Sequence, residues 1–407
     1  MSGFGAGSPL LVITVLLLLG IAVTVWVGRL TGTLGPCLTS LGIHVALSMY
    51  LLYSFGLTAL GSDADAYHQL AAAVADSIAG TGSSVSYSEG KEGWILVLGV
   101  LYYIFGTHAE VGLLVISTFM ALLPAILATA SRQLGWESSA NTTAWLAVLL
   151  PSLIIWPSSI LREGPSIFLL SLMVLSVGFY HSRRLLTAGT LLLGATAGMM
   201  WIRPPIGAAA LLGIAIGVLF TSLRKTTGPL GMLVFLAPSA LALPFGLLRG
   251  NQFDLSAAGT LRESLALGAT TSTGATGQGF DTFGGAIRGM FLDLPGATFG
   301  PFIWEAGGQP WQLLIDGLTF VMLAVLSFFV LKNRATRSEG LVLILPAIAV
   351  LLVVSAAFGN YGFVVRQRSQ AAAFLVPVAA AGWVLRQQRR TTLTFPERSP
   401  ADERLIV

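Results

Sequence analysis

Long, nearly unbroken apolar stretches recur along the chain, separated by short segments rich in glycine, proline or charge. A membrane-spanning helix needs ~20 mostly apolar residues. On that measure about eleven spans are predicted, at 9–28, 38–60, 111–131, 142–156, 165–181, 187–202, 206–223, 230–248, 312–331, 341–358 and 371–386. The first has no basic residues before it and no cleavage site after it, so it is read as a retained helix rather than a signal peptide. The segment 93–106 (GWILVLGVLYYIFG) is apolar but only 14 residues long, which suits an interfacial or re-entrant helix.

Leaving 93–106 outside the count gives a consistent orientation. Arg29, Arg132, Arg183, Arg184, Lys332, Arg334, Arg337 and the basic tail then face the cytoplasm, as the positive-inside rule requires. The N-terminus is outside, and residues 391–407 form a cytoplasmic tail after one transmembrane domain, 1–390. The longer connections, 61–110, 249–311 and 359–370, fall on the exoplasmic side, so chemistry is expected there.

Composition agrees. Of 407 residues, 55% are apolar and 10% charged, against ~25% charged in soluble domains. Mean hydropathy is +0.81. A water-soluble globule, a coiled coil and a disordered chain are excluded. The expected class is an all-α, multi-pass protein of the plasma membrane. The single cysteine, Cys37, excludes a disulfide scaffold, and the four histidines are scattered. No phosphate-binding glycine loop appears, which argues against direct use of ATP or a nucleotide-sugar, and no nucleic-acid partner is expected.

The first outer connection carries Asp63, Asp65, Tyr67 and His68 directly after a membrane helix. Two carboxylates at i and i+2 can share a metal ion, or one can act as a general base that the other orients. Asp63 also suits a helix cap. Tyr67 and His68 read either as interfacial anchors or as substrate contacts.

The order of motifs resembles the GT-C superfamily of polyprenyl-phosphate-dependent glycosyltransferases. A helix ends in the Asp-x-Asp-x-Tyr stretch. GWILVLGVLYYIFGTHAEVGLLVISTFMALLPAILATASRQLG follows, and then AWLAVLLPSLIIWPSSILREG. The likeness covers roughly 38–180 and is closest to the small members of bacterial cell-surface polysaccharide clusters. Neither a large C-terminal soluble domain nor a WWDYG-type motif is present. The resemblance implies a GT-C-like fold with interfacial helices in the first exoplasmic loop. It also implies a polyprenyl-(pyro)phosphate-linked sugar donor, a glycan or lipid acceptor, and a catalytic acidic residue at Asp63 or Asp65. Glu163 matches a second acidic position of the pattern.

Eight of the 22 basic residues break the inside bias: Lys91, Arg162, Arg203, Arg249, Arg262, Arg288, Arg366 and Arg368. An arginine at membrane depth costs a few kcal/mol unless paired or hydrated. Guanidinium binds phosphate bidentately and would stabilise a leaving phosphate. Arg203, Arg366 and Arg368, with Arg162 and Glu163, are the expected substrate-binding set. Internal pairing and binding of lipid headgroups are the plainer alternatives. No cofactor is required; Mg or Mn could supply the charge that arginine otherwise supplies, and the metal question stays open. The Gly/Thr-rich centre of 249–311 reads as a lid or a loose linker, and its aromatics as sugar platforms or interfacial anchors. Two other functions compete: a lipid or glycan transporter, and an O-antigen polymerase or ligase of the other membrane-glycosyltransferase fold.

Overall fold

The computed structural model describes residues 8–60, 63–82, 85, 92–222, 255–267, 282–308 and 311–394. The predicted span 230–248, the loop centre 268–281, Lys91, Arg249 and the tail after 394 lie outside these residues. The described residues form fifteen α-helices and no β-strand. They are α1 (Pro9–Thr31), α2 (Leu34–Phe55), α3 (Asp63–Ile78), α4 (Glu92–Phe105), α5 (Ala109–Gln133), α6 (Ala140–Leu149), α7 (Pro151–Ile155), α8 (Glu163–His181), α9 (Leu185–Ile202), α10 (Pro204–Ser222), α11 (Leu255–Ala266), α12 (Phe283–Phe299), α13 (Trp311–Lys332), α14 (Arg337–Ala356) and α15 (Tyr361–Thr394).

Nine of these are long and apolar enough to cross a membrane. A tenth candidate is the bent pair 137–149 and 151–158, which turns by 61°. The expected straight span at 142–156 is therefore broken. Pro151 has no N–H to continue α6, and Leu150 before it takes extended backbone, ψ 119. Pro157 likewise offers no N–H to the Leu153 carbonyl, and the buried His44 ring takes it instead, with Nε2 at 2.9 Å. The chain is thus an all-α, multi-pass membrane protein.

Burial sorts the helices. Most residues of the apolar stretches of α15 and α5 are buried, whereas α1 and α2 are mostly unburied and expose leucine and aromatic side chains. Close approach is made by glycine. Gly213 and Gly217 of α10, spaced as GxxxG, lie against the backbone of Pro346 and Val342 in α14. A methyl added at Gly382 would collide with the Leu326 carbonyl of α13. Gly382→Ala is therefore expected to destabilise the protein by about 1–3 kcal/mol through overpacking, read as a lowered unfolding temperature in detergent.

Two connections expected on the outer side differ from that reading. Residues 359–370 are not a loop, because α15 begins at Tyr361, with the Asn360 side chain accepting from the Gly362 N–H at 2.7 Å. Segment 249–311 contains α11 and α12.

Candidate functional site

Residues from four chain segments meet at one end of the bundle. Asp63 opens α3, Arg162 and Glu163 open α8, Arg203 sits in the turn between α9 and α10, and Arg366 lies in the second turn of α15. Each is placed by local chemistry. Glu163 occupies the first turn of α8, where the helix dipole favours an anion. Pro204 holds Arg203 in extended backbone, φ −155.

Glu163 is the hub. Its Oε1 lies 3.3 Å from Arg203 Nη2 and 3.2 Å from Arg366 Nε, and accepts from Gln367 Nε2 at 3.4 Å. Arg366 Nη2 also donates to Asp63 Oδ2 at 3.3 Å. Arg162 donates to the Ile202 carbonyl at 3.4 Å and interacts electrostatically with Glu163 and Arg203. The Glu163 and Arg203 side chains are 1% and 5% exposed, while Asp63 is 40% exposed. The cluster is closed at its centre and open at the Asp63 edge.

Three guanidinium groups face two carboxylates here, so the described cluster is cationic. Burial and the neighbouring Arg162 pull Arg203 down to about 9, which still leaves it charged at neutral pH. Arg203 Nη1 and Glu163 Oε2 are buried and make no hydrogen bond among the described residues. Tyr67, also buried, lies within the field of Arg162, Glu163, Arg203 and Asp63, and burial raises its hydroxyl above the usual range.

The other expected site residues go elsewhere. Asp65 accepts from Gln69 Nε2 at 2.7 Å, one turn along its own helix. Positions i and i+2 of a helix point about 200° apart, so Asp63 and Asp65 do not form a shared metal site. Among the described residues no group of three His, Cys, Asp or Glu could hold a metal ion.

His68 pairs with Tyr102, Nδ1 to hydroxyl 2.8 Å, instead of entering the cluster. Burial raises the Tyr102 hydroxyl and lowers His68, so the tyrosine donates to a neutral ring. Because the folded His68 value lies below the unfolded one of ~6.5, this contribution is complete above that pH and is lost as pH falls below it. A loss under ~1 kcal/mol is expected, as the ring is half in solvent. Unfolding temperatures at pH 7.5 and 5.5 check it, and the difference should shrink in His68→Gln.

Arg368 is the clearest correction. It points from the opposite face of α15 and is fully buried. Its Nε donates to Asp316 Oδ2 of α13 at 2.7 Å, and its Nη1 reaches the Thr298 and Gly300 carbonyls at the end of α12. The guanidinium lies 5.2 Å from the Phe320 ring centroid. It is engaged away from the Glu163 cluster. Sequence reading also missed Asp316 and Gln367. An acidic residue inside the stretch WQLLIDGLTFV was the available signal for the first.

Comparisons with protein families, with curated proteins and with solved structures find no match for this chain.

Proposed function

We propose that the protein is a glycosyltransferase using a polyprenyl-(pyro)phosphate-linked sugar on the exoplasmic face, acting on a glycan or lipid acceptor. The observation that carries this reading is the cationic cluster of Arg162, Arg203 and Arg366, with the Asp63 carboxylate at its open edge. In this scheme an acceptor hydroxyl attacks the anomeric carbon with inversion, and its proton passes to Asp63. The bond from the anomeric carbon to the phosphate oxygen breaks, and the electron pair leaves with the phosphate. The arginines meet that growing negative charge in a water-poor site, where preorganised donors are most effective. Tyr67 lies within reach of the same charges and would orient the donor. In this scheme Asp65, His68 and Arg368 have no part in the chemistry, and the arginines supply the positive charge.

The break at Leu150–Pro151 also suits a transporter, in which interrupted helices serve alternating access. One assay separates the two readings. Purified protein in proteoliposomes is given polyprenyl-phosphate-linked radiolabelled sugars and hydroxyl-bearing glycan acceptors. Label is expected to move to the acceptor, with release of the polyprenyl phosphate. Counterflow of intact donor without covalent turnover would replace this reading with transport.

A further inference from the structure

α12 packs on the bundle with one face and leaves the other bare. On the packed face Ala286 meets Ala356 at the end of α14. Ser355 Oγ donates to the Met290 carbonyl at 2.9 Å, and Gly296 lies against Phe358. The charge on this side is tied down, since Asp293 pairs with Arg262. The bare face carries Phe283, Ile287 and Phe291 at helical spacing, 71%, 38% and 59% exposed, together with the exposed Arg288.

The two ends of α12 sit at different depths. Ala286 is level with the last residue of a spanning helix. At the other end the Phe299 carbonyl lies against Gly317, six residues inside α13, or ~9 Å below the start of that helix at 1.5 Å per residue. The Met290 carbonyl is held by Ser355, one residue from the end of the same helix as Ala356, so the bare apolar face of 283–291 meets the boundary between headgroups and acyl chains. α12 packs against α13 at Gly317, and the exposed stripe of Trp311, Ile315 and Leu318 on α13 belongs to a membrane-crossing helix.

We propose that α12 is an interfacial helix embedded obliquely in the leaflet on the Asp63 side. Phe283, Ile287 and Phe291 lie among the acyl chains, and Arg288 reaches up to the lipid phosphates. Continuity with α13 selects lipid as the occupant. A long cationic side chain on an otherwise apolar face is the arrangement that reaches back to headgroups. The connection 249–311, read from the sequence as a lid or a loose linker, thus includes a bilayer anchor. The inference is independent of the proposed reaction.

The test is accessibility of a nitroxide in lipid nanodiscs. The lone Cys37 is replaced by alanine, and single cysteines are placed by Ile287→Cys and Phe291→Cys for labelling, with Leu318→Cys as the lipid-facing reference. At 287 and 291 molecular oxygen is expected to relax the label more strongly than a water-soluble nickel chelate, as at 318. A stronger effect of the chelate would place this face in water and overturn the proposal. Exclusion of both reagents would mean that protein, from this chain or another copy, covers the face, and would overturn it equally. If one variant fails to fold, the other position carries the same test.

Discussion

Asp63→Asn is expected to fold as the parent protein does and to lose glycosyl transfer by about 10²- to 10⁴-fold, the usual contribution of a general base. Asparagine keeps the shape of the side chain, and its oxygen can still accept from Arg366, so the cluster of Arg366, Glu163 and Arg203 stays assembled. Only the proton acceptor is lost. Asp65→Asn serves as the control, because Asp65 contacts Gln69 on its own helix, and turnover there is expected to remain at the parent level. Transfer rates with a lipid-linked donor, alongside unfolding temperatures, separate a chemical defect from a folding defect. Equal rates for Asp63→Asn and the parent would remove Asp63 from the mechanism.

Arg368→Met is expected to destabilise the protein by about 3–5 kcal/mol, because it strands a buried Asp316 carboxylate without its cation. The double variant Arg368→Met with Asp316→Leu should recover most of that loss. Neither buried charge then remains, and apolar side chains of similar volume fill the space. Recovery stays incomplete, since the Thr298 and Gly300 carbonyls lose their donor. Unfolding of both single variants and the double in detergent gives the coupling energy directly. Losses that simply add would contradict a direct pair. A phosphate-binding Arg368 would behave differently, weakening transfer while leaving stability nearly unchanged.

Much of the fold was legible in one dimension. Apolar runs of helical length identify spans without knowledge of neighbours, since each backbone satisfies its own hydrogen bonds within the segment. The short helix Glu92–Phe105 was also recognisable, because length alone separates it from a span. The break at Leu150 was not, although Pro151 and Pro157 stood in plain sight. A proline inside an apolar run can kink a helix or end it, and the choice depends on tertiary contacts; the carbonyl that Pro157 frees, Leu153, is met by His44, over a hundred residues away in sequence.

The candidate site divides in the same way. Residue type showed that carboxylates and guanidinium groups were present where lipid would penalise them, and so required partners. It did not say which partners. Arg366 and Arg368 are two positions apart in RQRSQ and looked equivalent as members of a loop. Continuing the helix through them turns one towards Glu163 and Asp63 and the other towards Asp316. By the same rotation Asp63 and Asp65 part company.

By itself, the order of apolar and charged residues determined a helical, multi-pass membrane protein whose unusual charges gather near helix ends. Only the tertiary structure decided which of those charges share a pocket, because pairing depends on helix rotation and on contacts hundreds of residues apart, and neither quantity is local to the chain.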